Sequence, residues 1–213
     1  MEDDDAGVGT AIARWLGLSR PPFSIAGVLP FLLGTILAWR LHHTFDPLVF
    51  TLGFLGIALV MLSSYHAGEY FETEETERTK RLYRSRLAGG SGMIPDHKLP
   101  RAVALRVSII ALVLAGLIGL VLQFVLQTGP LTLLLACIGA LPSFLYCARP
   151  FHLFNAGLVE LYTGFCYSWV PVASAFYVQR GYITPGIHWM ALPIGLSLFN
   201  VILINEFLIF TAP

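Results

Sequence analysis

Two glutamates near the end of a long apolar stretch are the residues of this chain best suited to chemistry. Glu69 and Glu72 stand three positions apart, and a helix continuing through them would carry both on one face with Thr76. Tyr65 lies one turn earlier on that face. Paired carboxylates are hard oxygen ligands, which suit Mg²⁺ when substrate phosphates complete its coordination. We therefore predict a site for a metal ion and an anion here.

The segment after these acids carries basic groups that could neutralise such an anion. Residues 66–101 contain six acids and seven bases. The bases expected to bind diphosphate are Arg78, Lys80, Arg84 and Arg86. The turn Gly89-Gly90-Ser91-Gly92 could add backbone N–H groups to the same anion. A stretch of this composition is equally typical of a solvated helix face stabilised by ion pairs four residues apart, and both interpretations stay open.

A second apolar stretch ends in a similar way. Glu206 precedes Phe207 there, just as Glu69 precedes Tyr70, and the two ends are predicted to lie on the same side of the membrane. An acid inside an apolar span is costly, so it is a functional candidate. We predict Glu206 as a further metal ligand.

The elements that must position these residues are membrane spans. Of 213 residues, 56% are apolar and 12% charged, with a mean hydropathy of +0.72. Soluble domains carry about 25% charged residues, so a water-soluble globule is excluded. Thirteen acids balance thirteen bases, which favours no nucleic-acid partner. The three cysteines lie in apolar runs and are interpreted as small hydrophobic residues rather than a disulfide framework or a metal site.

Six stretches reach the roughly 20 apolar residues that a spanning helix needs. Their interiors show no alternation of apolar and polar residues, which argues against a strand barrel. The predicted fold class is all-α, a polytopic helical membrane bundle in one domain. The predicted spans are 22–41, 47–67, 102–126, 130–148, 156–178 and 188–210.

The distribution of positive charge predicts the orientation of these spans. Eleven basic residues fall on one side, and only Arg40 and Arg180 fall on the other. Because basic loops stay in the cytoplasm, the N-terminus and the long second loop are predicted to be cytoplasmic in a multi-pass protein of the cell membrane. Residues 1–21 would form a cytoplasmic segment, either an interfacial helix or a flexible tail.

Several motifs, in this order and spacing, resemble those of the UbiA-type membrane prenyltransferases. The similarity is greatest to the branch that acts on menaquinone- and plastoquinone-type precursors, and it runs from Arg20-Pro21-Pro22 to Asn205-Glu206-Phe207. Its most specific parts are Gly68-Glu69-Tyr70-Phe71 and Leu87-Ala88-Gly89-Gly90-Ser91-Gly92.

The resemblance implies an all-helical fold, usually of nine spans, with two acidic motifs that hold Mg²⁺ and a prenyl diphosphate. Glu69 and Glu72 stand where the first motif has its first two acids, while Gly68 replaces its Asn and Thr76 its third Asp. Asn205-Glu206-Phe207 matches the opening of the second motif, but no further acid follows before the chain ends. The domain is therefore expected to be truncated at its C-terminus.

The resemblance also implies a reaction. The chain would transfer a prenyl group from a prenyl diphosphate to an aromatic quinone precursor similar to 1,4-dihydroxy-2-naphthoate, with Mg²⁺ as cofactor and Glu69 and Glu72 as catalytic residues. Arg149 would contact diphosphate, although it could equally anchor a cytoplasmic loop, and Tyr65, Tyr146 and Asn205 would line the substrate pocket. The alternative is a non-catalytic remnant that binds only lipid or a partner.

Overall fold

A computed structural model describes the backbone of residues 21–71, 100–147 and 158–210, and the side chains of residues 25–71, 100–140 and 161–204. These residues are almost entirely helical, and none of them is in a strand. The predicted all-α fold is confirmed. Residues 1–20 of the predicted N-terminal segment lie outside the described residues, and Pro21 is the first residue of a helix.

Three helix starts are set by prolines, and one of these also has a side-chain cap. The helices are α1 Pro21–His42, α2 Pro47–Phe71, α3 Arg101–Leu120 with a π-helical turn Val121–Val125, α4 Leu131–Cys147, α5 Leu158–Tyr167, α6 Trp169–Arg180 and α7 Pro185–Phe210. Helices α1, α2 and α7 begin at a proline, whose fixed φ suits the first helical position. Asp46 caps α2, because its Oδ1 accepts hydrogen bonds from the backbone N–H groups of Leu48 (2.8 Å) and Val49 (3.1 Å).

Four of the described helices are long and apolar enough to cross a membrane, namely α1, α2, α3 with its π-helical turn, and α7. The chain is a membrane protein, and each of the six predicted spans corresponds to helical structure. Helix α4, with 17 residues, accounts for the predicted span 130–148.

The predicted span 156–178 differs from expectation because Ser168 divides it into α5 and α6. Pro171 has no N–H to donate to the carbonyl of Tyr167, and its ring crowds that carbonyl, which weakens the helix at this turn. The Ser168 N–H donates to the carbonyl of Phe165 at 3.3 Å, and the Ser168 hydroxyl donates to the carbonyl of Gly164 at 2.7 Å. The predicted span therefore consists of two helices that meet at Ser168.

Neighbouring helices α2 and α3 approach closely because small residues face each other. The buried residues of α3 recur at helical spacing and are all small: Ala104, Ser108, Ala111, Ala115 and Gly119. Across the interface, the Ser108 hydroxyl lies 3.1 Å from the Ser63 hydroxyl and donates to the Ser63 carbonyl at 2.7 Å. Small residues and hydroxyl hydrogen bonds are the usual means by which helices associate in lipid.

Helix α6 forms the centre of the bundle and packs against α1, α2, α4 and α7. Its buried residues Val172, Ala173 and Phe176 form one core with Ala38 of α1. The hydroxyl of Tyr177, which is 1% exposed, accepts a hydrogen bond of 3.1 Å from the N–H of Leu131 and so caps the start of α4.

Interhelical contacts show that successive spans alternate in direction. Ser63 pairs with Ser108, the Tyr162 hydroxyl bonds to the Ile138 carbonyl at 2.6 Å, and Trp169 bonds to His188 at 2.8 Å. Helices α2, α4 and α7 therefore end on the side where α1, α3 and α5 begin. We call this side the Glu69 end and the opposite side the Arg180 end.

Candidate functional site

Glu69 lies in the last turn of α2 and is buried, with 6% of its surface exposed. One turn earlier, His66 is fully buried, and its Nδ1 lies 2.9 Å from the carbonyl of Leu62. A carboxylate removed from water at the end of a membrane helix is costly, so its retention points to a functional role.

Arg101, the first residue of α3, lies against the end of α2. Its Nε donates a hydrogen bond of 2.7 Å to the carbonyl of Tyr70, and its guanidinium lies 4.7 Å from the centre of the Tyr70 ring. A positive charge from the far end of the second loop therefore contacts Tyr70, the residue after Glu69. Sequence reasoning counted Arg101 among the loop bases and did not place it in the site.

The predicted site residues fall into three groups. Glu69 and Tyr65 are described and lie one turn apart on α2, where Tyr65 is half-buried. Tyr146, Asn205 and Glu206 lie near the ends of α4 and α7, at the Glu69 end, but their side chains are outside the described residues. The remaining predicted residues lie wholly outside the described part of the chain: Glu72, Arg78, Lys80, Arg84, Arg86 and Arg149.

The two glutamate-bearing helix ends belong to helices that are not close neighbours. Within the described residues, α2 packs mainly against α3, α1 and α4, whereas α7 packs mainly against α5 and α6. Among the described residues, Glu69 and Glu206 share an end of the bundle, but each of their helices packs mainly against other helices. A ligand that uses both would have to bridge the space between them.

Mg²⁺ is compatible with the chemistry of the described part of the site. The described residues contain no group of three or more acids, histidines or cysteines that could hold a metal ion by themselves. Mg²⁺, however, commonly binds through one or two carboxylates, with waters and substrate phosphates as its other ligands. Glu69 is a carboxylate of this kind.

An apolar cavity of about 230 Å³ lies between α2, α3, α4 and α6. Five glycines help to line it and leave room by having no side chain: Gly53, Gly56, Gly116, Gly119 and Gly139. Hydroxyl groups on its wall come from Thr132 and Ser174. Val60 is the lining residue of α2 nearest to Glu69, nine residues away, which is about 13 Å of helix rise.

These features together suit an amphiphilic ligand. A buried carboxylate and an arginine lie at the membrane boundary, and an apolar cavity lies deeper in the bundle. A ligand with an anionic, metal-binding head and an apolar tail could use both.

Comparison with known proteins identifies the family. Over residues 27–208, which extend from α1 to the last turn of α7, the sequence matches the UbiA prenyltransferase family. No curated protein sequence matches the chain. Because the match covers most of the sequence and the described structure is a bundle of membrane helices, the chain belongs to the UbiA prenyltransferase family, a family of integral-membrane prenyltransferases.

Proposed function

We propose that this protein transfers a prenyl group from a prenyl diphosphate to an aromatic quinone precursor similar to 1,4-dihydroxy-2-naphthoate. It would act in the cell membrane, with the N-terminus and the second loop in the cytoplasm. The observation that carries the proposal is the burial of Glu69 at the end of α2. Arg101 contacts the following residue, Tyr70, and the same helix lines the apolar cavity.

In this proposal, Glu69, Glu72 and Glu206 hold the metal-bound diphosphate at the membrane surface. Mg²⁺, when bound, would neutralise charge on the diphosphate as the bond to the prenyl carbon breaks. The bases of the second loop, Arg78, Lys80, Arg84 and Arg86, would bind the outer phosphate oxygens with Arg149.

The prenyl tail would occupy the apolar cavity. A cavity of about 150 Å³ accommodates benzene, so the 230 Å³ seen here corresponds to roughly nine carbon atoms, or about two isoprene units. Tyr65, Tyr146 and Asn205 would hold the aromatic acceptor near the carbon that the diphosphate leaves. The new bond then forms between that carbon and a ring carbon of the acceptor. The diphosphate leaves, and the ring carbon loses its proton, or its carboxylate as CO₂, so that the ring becomes aromatic again.

Two matched substitutions test the role of Glu69. Each removes one carboxylate and keeps the side-chain shape: Glu69→Gln at the proposed site and Asp46→Asn at the opposite end. Glu69→Gln should lower kcat/KM by about a hundredfold or more, because it removes a carboxylate ligand of the Mg²⁺ that would stabilise the leaving diphosphate. Asp46→Asn should retain activity, because Asn caps a helix as well as Asp does.

The assay uses membranes that contain the full chain, a prenyl diphosphate, Mg²⁺ or EDTA, and 1,4-dihydroxy-2-naphthoate. Equal activity of the Glu69→Gln and unsubstituted proteins would overturn the assignment of Glu69 to the active site. Product formed only with 4-hydroxybenzoate or homogentisate would support prenyl transfer as the reaction and show that the proposed acceptor is wrong. A folded protein that forms no product with any acceptor would favour the non-catalytic alternative.

A further inference from the structure

We propose that a groove beside α1, at the Arg180 end, binds an anionic phospholipid of the surrounding bilayer. One acyl chain would lie in the groove, and the lipid phosphate would bind Arg40. The groove is at the end of the bundle opposite to Glu69, so this proposal does not depend on the proposed reaction.

The shape of the groove matches an acyl chain. It has a volume of about 230 Å³ and is lined by Leu32, Thr35, Ile36, Trp39, Phe45 and Phe50. The four residues from α1 follow the spacing of a single helix face, so the groove runs along the helix for about 10 Å. Lipid chains and transmembrane helices both extend across the bilayer, so such a groove holds a chain along its length.

The lining of the groove offers no polar group that needs a polar ligand. The hydroxyl of Thr35 donates to the carbonyl of Phe31 at 3.1 Å, and the other lining side chains are hydrophobic. Phe50 is held in place by its neighbours, since its ring centre lies 5.6 Å from that of Phe45 and 5.9 Å from that of Phe54. The wall is therefore preformed and apolar.

Arg40, at the rim of the groove, carries a positive charge that is complementary to an anionic lipid. Arg40 is exposed, and its guanidinium lies 5.2 Å from the centre of the Trp39 ring, which is itself part of the lining. Asp46, the acidic side chain described at this end, uses its Oδ1 to cap α2. Within the described residues, no carboxylate pairs with Arg40, and a guanidinium matches the geometry of a phosphate well.

The other arginine at this end provides a contrast. Arg180 donates hydrogen bonds to the hydroxyls of Thr44 and Tyr182 and lies over the Tyr182 ring. Its guanidinium is engaged by the protein, whereas that of Arg40 extends over an aromatic wall of the groove. Arg180 is therefore a matched control with the same charge.

Fluorescence quenching of Trp39 tests the proposal directly. The protein used carries Trp39 as its only tryptophan, with Trp15, Trp169 and Trp189 replaced by Phe. The purified protein is titrated in detergent with phosphatidylglycerol or phosphatidylcholine, each brominated on its acyl chains. Phosphatidylglycerol should quench at about a fivefold lower mole fraction, the effect expected for one arginine near an anionic lipid.

Substitutions then test the two parts of the site, Arg40 and the apolar groove, separately. Arg40→Gln should abolish the preference for phosphatidylglycerol, and Arg180→Gln should preserve it. Ile36→Phe, which fills the groove, should weaken quenching by both lipids. Equal quenching by the two lipids in the parent protein, or an unchanged preference after Arg40→Gln, would overturn the proposal.

Native mass spectrometry of the otherwise unsubstituted chain gives a second test if the single-tryptophan protein does not fold. The protein should retain bound phosphatidylglycerol after detergent removal. Arg40→Gln should lose this adduct, and Arg180→Gln should keep it. A protein that retains no phosphatidylglycerol would contradict the inference.

Discussion

The Nε of Arg101 donates a hydrogen bond of 2.7 Å to the backbone carbonyl of Tyr70, across the interface between α2 and α3. The last carbonyls of a helix have no partner within it, and a cation is favoured at this end of the helix dipole. Arg101 therefore stabilises the last turn of α2. Glu69 is the residue next to Tyr70, so this contact also holds the proposed metal ligand in place.

Replacing Arg101 with Gln should weaken that positioning. The contacts with the carbonyl and the ring are worth about 1 kcal/mol, which corresponds to roughly a fivefold change in an equilibrium. We expect the Mg²⁺ concentration for half-maximal prenyl transfer to rise by about that factor.

A titration of activity against Mg²⁺ concentration measures this effect. Arg106→Gln is the control, because Arg106 is an exposed arginine of the same helix and its loss removes the same charge. Arg101→Lys should restore part of the effect by keeping the cation near Tyr70. Identical Mg²⁺ dependence in the Arg101→Gln and Arg106→Gln proteins would disprove the positioning role.

Tyr162 compensates for a proline in the neighbouring helix. Pro142 lies four residues after Ile138 in α4 and has no N–H for the Ile138 carbonyl, which instead accepts the Tyr162 hydroxyl at 2.6 Å. Tyr162→Phe should therefore destabilise the protein by about 1 kcal/mol. In a Pro142→Ala background, which restores the helical N–H, the same substitution should cost much less.

Unfolding in mixed micelles with increasing sodium dodecyl sulfate gives the free energy of unfolding of the unsubstituted protein, the two single variants and the double variant. The coupling between the two positions should be about as large as the cost of Tyr162→Phe alone. Additive effects would show that the hydroxyl has some other role than replacing the missing N–H.

The contact between Ser63 and Ser108 should depend more on size than on hydrogen bonding. Ser108→Ala keeps the side chain small and should cost about 0.6 kcal/mol, the average for hydrogen bonds between membrane helices. Ser108→Leu should cost about 1–3 kcal/mol, because α2 and α3 would have to separate. The same unfolding assay compares the two variants, and equal costs would contradict close packing through small residues.

The positions of the helices were predictable because they depend on local composition. Predicted spans such as 22–41 and 47–67 correspond to Pro21–His42 and Pro47–Phe71. The division at Ser168 was not predicted. Pro30 and Pro193 also lie inside apolar stretches, yet α1 and α7 continue through them. Whether a proline breaks a membrane helix depends on which neighbours satisfy the freed backbone groups.

The candidate site was predictable only in part. Glu69 was identified from an acid at the end of an apolar run, and the structure describes it as buried at the end of α2. Arg101 was overlooked as a partner because it contacts Tyr70 across 31 positions in the chain. No periodicity in the sequence relates the end of one helix to the start of the next across such a segment.

The sequence by itself determined the membrane environment, the helical class and the family, because hydropathy and motif order are properties of local composition and spacing. Only the tertiary structure decided that Arg101 contacts Tyr70 and that Arg40 lies at the rim of a groove. It also decided that the Tyr162 hydroxyl bonds to the Ile138 carbonyl, which receives no N–H from Pro142. The physical reason is that these contacts depend on how the helices cross and rotate against one another. Crossing and rotation follow from packing over the whole bundle, through small residues such as Ser108 and Gly195.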